Sequence, residues 1–510
     1  MSTFHISTTV GLANNKDASP HVSDFPKDTI IKDIHEQEVA NATEQDENGE
    51  GYEKNEDTDD DDDDDDGGDD AASECPTILN GEEPFETFQH KVREQASKLF
   101  QKQQSDVVIT QMKGGTYNRV VGVTISSKLP KYTLAWLKSC LSARRKTATI
   151  DSTSYIIRIP RTEATGDDSI GSLADDMKQG VAILNTVKSC LSLPTPEVVS
   201  YDLTTDNVFG RPYMVQKRLP GKNLQFELWN RLNLEQKKSV VKQVANLPSI
   251  IASIQGPAGD ISSDNLSCAP NLPILIDKFH KLAYSNQPTP GRATTGKPLK
   301  FLLECINHWR AYQTAKQGFC FEDVWDAFEI IAKSLEKHGI LDGPCVLVHR
   351  DLEPYNLLAE IRSDTEVNIT AVIDWDFAVI APEFMAYPAP FWSWLPDNIT
   401  EQAAGDEEVF CLSVKPNNRD AQVIKQTFDA NTSEKHKMYA FSMEAILARR
   451  MFVILHDGIF GPWPMSEATS IIVHYRELHP EDGIEYDNVS EYEVEKARMA
   501  IAQYRAGYED

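Results

Sequence analysis

The sequence predicts an α+β protein: a small β-rich N-terminal lobe and a larger helical C-terminal lobe, behind a disordered acidic tail. Three observations predict this arrangement. Between Val107 and Gly221, apolar runs of strand length alternate with turns bearing Gly and Pro. Beyond Gly221 the apolar residues recur mainly at helical spacing. Before Pro84 the chain is polar and acidic. The expected boundaries are 1–83 for the tail, 84–220 for the first lobe with a leading helix, and 221–510 for the second.

The tail follows from its charge. Of the net charge of −29, residues 1–90 carry −23, from 27 Asp and Glu against 4 Lys, and eight consecutive aspartates fill positions 59–66. Such a block repels itself and buries too little apolar area to offset its ordering entropy. The rest of the chain is close to neutral and shows no basic stripe, which excludes nucleic-acid binding by the folded part. No run reaches the roughly 20 apolar residues that a membrane span requires. The opening MSTFHISTTVGLANNKDASP has neither the basic and apolar regions of a secretory signal nor the Arg content of a mitochondrial presequence. A cytoplasmic location is expected, nuclear or other intracellular sites remaining open. The eight cysteines are scattered without a CxxC pair, so reduced thiols are expected.

Structure is expected from Pro84, where Phe85, Phe88, Val92 and Leu99 lie at roughly helical spacing. VVITQMKGGTYNRVVGVTI reads as a hairpin turning at Gly114 and Gly115, and TSYIIRIP as a third strand closed by Pro160. Val181, Leu184, Val187 and Leu191 mark a helix, and PYMVQKRLPG reads as a further strand. LEQKKSVVKQVANLPSIIASIQ is an amphipathic helix that Pro248 must divide. Residues 260–300 are rich in Pro, Ser and Asn and predict an extended insertion. A helix over 321–339 stops at Gly339, two short β runs follow at 346–348 and 369–373, and residues 435–508 return to helical periodicity.

The chemistry concentrates in CVLVHRDLEPYNLLAE and ITAVIDWDFAVIAPEF. An apolar run delivers His349, Arg350 and Asp351, Asn356 follows in the same loop, and a second run delivers Asp374 and Asp376. A carboxylate at the mouth of a loop can orient an attacking hydroxyl. An amide oxygen and a second carboxylate can hold a hard, oxygen-seeking cation.

HRDLEPYN with IDWDF resembles the catalytic loop and metal-binding Asp of the aminoglycoside phosphotransferase and choline kinase family, and also the corresponding pair of protein kinases. The resemblance implies a two-lobed protein-kinase-like fold with ATP and Mg²⁺ between the lobes. It implies Asp351 as catalytic base, His349 as the brace of its loop, and Asn356 and Asp374 as metal ligands. Asp376 would be a further carboxylate at the metal or substrate. Gly114, Gly115, Arg158 and Gln216 would contact the nucleotide, Arg158 standing where the family places a phosphate-pairing Lys. The implied acceptor is a small molecule bearing a hydroxyl or amine, with the oligomeric state open.

Two positions depart from that pattern. The helix residue that should pair with the basic strand residue falls on Gly180, with Asp176 one turn earlier as a shorter substitute. Glu353 stands where protein kinases carry a phosphate-contacting Lys. The triplet Ala381-Pro382-Glu383 follows Asp374 too closely to close a protein-kinase activation segment, so a small-molecule kinase is favoured. Trp392 and Trp394 in FMAYPAPFWSWLP are candidates for an acceptor wall or for core packing. Asp397, Glu401, Asp406, Glu407 and Glu408 could attract a cationic acceptor or form a solvated loop.

Overall fold

The computed structural model describes residues 82–112, 117–126, 152–161, 170–266, 273–279, 291–396 and 407–508. The acidic tail, the Gly114–Gly115 turn, and Asp397, Glu401 and Asp406 lie outside the described residues.

Helix α1 (Phe85–Phe100) starts after Pro84, whose extended backbone suits an N-cap, and buries Phe88, Val92 and Ala96 along one stripe. Strands β1 (Val107–Gln111), β2 (Asn118–Ser126), β3 (Ser152–Pro160), β4 (Val198–Asp202) and β5 (Tyr213–Lys217) form an antiparallel sheet in the order β1-β2-β3-β5-β4. The two-residue period of a strand sorts its faces. Val121, Val123, Ile125, Ile157, Ile159 and Val215 pack with the α1 stripe. Arg158, Met214 and Gln216 therefore project from the other face, Arg158 opposite Met214 and Ile156 opposite Gln216. Strand β4 is an addition to the sequence expectation, an edge strand with no fully buried residue.

Helix α2 (Ile170–Cys190) joins the main core through Met177, Val181, Leu184 and Val187. The chain leaves the sheet through Gly221, whose φ of +108° belongs to the left-handed region. A Cβ there would stand 3.1 Å from the backbone N and O of Ala359, so glycine alone fits.

The larger region is helical, with small sheets inserted. Helix α3 (Leu234–Val244) ends before α4 (Leu247–Ile251), the division expected at Pro248. Helices α5 (Pro298–Tyr312) and α6 (Glu322–Lys337) follow, and α6 stops where Gly339 adopts a φ of +77°. After the active-site strands come α7 (Glu407–Ser413), α8 (Arg419–Asn431), α9 (Glu434–Phe441), α10 (Met443–Asp457), α11 (Pro462–Leu478) and α12 (Glu491–Tyr508). Of the expected insertion at 260–300, residues 267–272 and 280–290 lie outside the described residues, and the described part is more regular than expected. Strand β7 (Gly259–Ile261) pairs with β8 (Ile276–Asp277) and joins a four-stranded sheet, β8-β7-β12-β9, with β9 (Cys345–Val348) and β12 (Val379–Pro382). A three-stranded sheet, β11-β10-β6, unites β6 (Lys222–Asn223), β10 (Leu357–Ile361) and β11 (Val367–Val372).

This is the expected fold class, a small antiparallel sheet with a larger helical region in a kinase-like arrangement. Cys190, Cys305, Cys320, Cys345 and Cys411 are in the reduced form. Among the described residues no helix is long and apolar enough to cross a membrane.

Candidate active site

Strand β9 is buried along its whole length and delivers His349, Arg350 and Asp351 at its end. A short turn, Pro354–Asn356, then leads into β10, and β11 returns antiparallel to it to deliver Asp374. Two hydrogen bonds tie the two deliveries together. Ile373 N–H donates to the Asn356 carbonyl at 3.0 Å. His349 Nε2 meets the Ile373 carbonyl at 3.0 Å, while its Nδ1 accepts from Asp351 N–H at 3.3 Å. One accepting and one donating nitrogen describe a neutral imidazole. Burial pushes its pKa down to about 4, against the smaller opposing pull of the Ile373 carbonyl and Asp351. The ring also packs against fully buried Trp375, centroids 4.6 Å apart. His349 is thus a brace between loop and strand.

Within the loop, Asp351 is held at both oxygens. Tyr355 Oη donates to Oδ1 at 2.5 Å, and Asn356 Nδ2 donates to Oδ2 at 2.8 Å and to the Asp351 carbonyl at 2.9 Å. The recorded side-chain bonds of Asn356 use only its nitrogen, which leaves Oδ1 as the atom available to a cation. Arg350 and Asp374 both hold positive φ, 66° and 64°. For residues with a Cβ this conformation is costly, and it recurs at sites where the surroundings fix a side chain for use.

Arg158 reaches across from β3. Its guanidinium donates to Asp376 Oδ2 at 2.5 Å and to Asp374 Oδ1 at 3.4 Å, and Asn118 Nδ2 adds a 3.4 Å contact to the same Asp376 oxygen. Burial opposes the Arg158 charge, yet the attraction of Asp376 and then Asp374 outweighs it and raises the pKa above the ordinary arginine value. At Asp374, burial and then the neighbouring Asp376 raise the carboxyl pKa, with Arg158 pulling the other way. The helix acid absent at Gly180 is thus replaced from another direction. Arg158 pairs with Asp376 and Asp374, and a Cβ at Gly180 would lie 3.8 Å from Asp376 Oδ1 and 3.2 Å from Met214 Cε. A side chain at 180 would press first on Met214, with Asp376 at ordinary contact distance.

Asp351, Asn356, Asp374, Asp376 and Arg158 therefore meet, and His349 braces them. Gln216 does not join them; it is buried, and its Nε2 bonds Met214 Sδ at 3.0 Å. Gly114 and Gly115 lie outside the described residues. Tyr355 and Asn118 were not singled out from the sequence. Tyr355 stands four residues after Asp351 in the same loop and could have been found there. Asn118, on β2, carries no local signal.

The donor set suits Mg²⁺. Asn356 Oδ1 and Asp374 are hard oxygen donors, and the carboxylates of Asp374 and Asp376 both bond Arg158. Beside the catalytic loop lies a cavity of about 350 Å³, lined among others by Leu352, Glu353, Met385, Glu408, Arg449 and Val453. Of the two alternatives for Trp392 and Trp394, packing is the one observed. Trp394 is core, packed on Phe391 and Phe428, and Trp392 packs edge-on against Trp229. Glu408 is engaged by Arg449 at 2.9 Å. The Ala381-Pro382-Glu383 triplet is strand β12 and the turn after it, with Glu383 paired to Lys435 at 2.5 Å.

Comparison with known proteins gives the following. The model of the phosphotransferase enzyme family matches residues 137–385. A subtelomeric hrmA-associated cluster protein of Aspergillus fumigatus is 31% identical over 78 residues, 15% of either chain. The match thus spans about 15% of that relative's length. Among solved structures, a Plasmodium vivax ethanolamine kinase is 12% identical, covering 84% of this chain and 92% of its own, with a TM-score of 0.37. The GDP and kanamycin complex of an aminoglycoside phosphotransferase is 13% identical, covering 78% and 93%, with a TM-score of 0.34. The loop motifs of Asp351, Asn356 and Asp374 lie within residues 137–385, the stretch that the model of the phosphotransferase enzyme family matches.

Proposed function

We propose that the protein transfers the γ-phosphoryl group of ATP to a hydroxyl of a small molecule. The observation that supports this most is the Ile373–Asn356 hydrogen bond, which holds the Asp351 turn and the Asp374 turn side by side, with Arg158 facing them from the sheet. Phosphoryl transfer asks the protein mainly for positioning and for charge opposite the phosphates, and these groups supply both.

In this reading Asp351 accepts the proton of the acceptor hydroxyl as its oxygen bonds to the γ-phosphorus and the bond to the ADP oxygen breaks. Tyr355 and Asn356 fix the carboxylate for that task. Asn356 and Asp374 would hold Mg²⁺, which when bound supplies neutralisation of the phosphate charge. Arg158 reaches the phosphates from β3, oriented by Asp376, and Gln216 lines the nucleotide side of the sheet. The acceptor, bearing a hydroxyl or amine, occupies the cavity beside Leu352 and Glu353. The lobes meet near Gly221, so the two functional units would be residues 84–220 and 221–510.

The test is Asp351→Asn. It should lower transfer by at least about a hundredfold, the scale of general-base contributions, while MgATP still raises the melting temperature as in the wild type. Loss of nucleotide binding together with transfer would refute the assigned role. A second reading, a kinase-like nucleotide-binding protein without transfer, is favoured by one observation: Arg158 already occupies Asp374. Thermal stabilisation by MgATP with no phosphate transfer across a broad acceptor panel would select it.

A further inference from the structure

Away from the active site, four side chains meet where three helices end or begin. His338 caps the C-terminus of α6, and His479 caps the C-terminus of α11. Glu444 lies in the first turn of α10, and Glu481 in the short turn after His479. The two imidazoles lie with centroids 4.4 Å apart. His479 is held at both nitrogens, Nε2 to Glu444 Oε1 at 3.2 Å and Nδ1 to Glu481 Oε1 at 3.3 Å. Donor atoms of His338, His479 and Glu481 all lie within 4.8 Å of one another.

We propose that His338, His479 and Glu481 form a binding site for a divalent transition cation such as Zn²⁺, with Glu444 orienting His479 from behind. Imidazole and carboxylate are the donors this class of ion prefers. A metal-bound imidazole almost always donates its other N–H to a carboxylate, a backbone carbonyl or a water, and Glu444 already stands at that nitrogen. The cation takes the place of the proton between His479 Nδ1 and Glu481. Bond lengths of about 2.1 Å put tetrahedral donors about 3.4 Å apart, so the cluster must tighten. Its two outer members can do so: Glu481 is 55% exposed, and His338 is exposed with no side-chain hydrogen bond among the described residues. Two helix C-termini direct their negative dipole ends at the same spot, which favours a cation independently of the side chains. The neighbouring Lys337 is turned to Asp482 at 3.4 Å and does not fill the place. Bound there, the ion ties α6, α10 and α11 together.

The experiment uses the full chain, stripped with a chelator and titrated with ZnCl₂ by calorimetry, alongside thermal unfolding. One ion per chain with a dissociation constant in the micromolar range or below, and a higher melting temperature with zinc, are expected. His338→Ala, a surface change, and Glu481→Gln should each weaken binding by tenfold or more, and Glu444→Gln, which acts through His479, by about 10–100-fold. Absence of binding at about 100 μM zinc overturns the proposal. So does equal affinity in the wild type and His338→Ala, since zinc would then be held by other residues. Neither outcome bears on the phosphotransferase reading, because none of these side chains belongs to the active site.

Discussion

Arg158 shares one guanidinium between two carboxylates, and the closer of them, Asp376, is the group whose role the motif leaves least defined. The pair is mostly out of water, with 11% of the Arg158 side chain and 30% of the Asp376 side chain exposed. Removing Asp376 leaves Arg158 only the longer contact to Asp374, so the cost approaches but does not exceed the roughly 3 kcal/mol of a fully broken buried pair. Asp376→Ala should therefore destabilise the protein on that scale and weaken MgATP binding. Gly180 supplies the control. Gly180→Glu alone adds a third carboxylate beside Asp374 and Asp376 and should be unfavourable, whereas in the Asp376→Ala background it offers Arg158 a new partner from α2. Partial recovery of stability and nucleotide affinity in the double variant, measured as a double-mutant cycle, is expected; simple additivity of the two losses would sink the idea. The motif residues were legible because a loop of eight residues fixes their geometry locally. The Arg158–Asp376 pair was not, because it needs β3, α2 and the turn after β11 to meet, and no spacing encodes that.

The leading helix shows how an element is fastened. Spacing points to a stripe of Phe85, Phe88, Val92 and Leu99, and the structure buries Phe88 and Val92 together with Ala96, leaving Phe85 and Leu99 partly buried. What ties the helix to the sheet beyond that stripe is Glu82, just ahead of it. Glu82 contacts Arg161 at 2.8 Å, Arg211 at 3.2 Å and Arg119 at 3.9 Å, with 2% of its side chain exposed, and Arg119 lies 3.7 Å over the Phe88 ring. Glu82→Ala should thus cost about 3–5 kcal/mol, more than the loss of an apolar contact, because three arginines lose their shared counter-charge. Urea unfolding would measure it, and a change below about 1 kcal/mol, the value of a surface pair, would show the cluster to be solvated. Strand visibility followed the same logic. The alternating runs of β2 and β3 were readable. Strands β9 and β12 are buried at every position and β12 shows no alternation, so it passed unnoticed inside the loop motif. Strand β4 alternates but buries no face completely, so it too passed unnoticed.

For the whole molecule, buried histidines set the response to acid. Burial holds His349 and His436 near a pKa of about 4, against an ordinary value of 6.5. As pH falls through 6.5 the unfolded chain binds protons at these positions and the folded chain does not, so the unfolded state is favoured. Their contribution is complete above pH 6.5 and drains away down to about pH 4, at about 1.4 kcal/mol per pH unit for each group in mid-window. His479 works in the opposite sense, since hydrogen bonding to Glu444 raises its pKa; its contribution is present below 6.5 and fades above. At pH 5 His479 is protonated in both states and cancels, while His308, its pKa lowered by burial and then by Lys278, acts in the same sense as His349 and His436. The melting temperature should fall steadily from pH 6.5 to 4.5, with unfolding at pH 5 taking up about two protons at His349 and His436. His349→Asn, which keeps a donor for the Ile373 carbonyl, should reduce that uptake by about one. A melting temperature flat across this range would mean that His349 reaches solvent, and the link it makes between the Asp351 turn and the Asp374 turn would lose its physical basis.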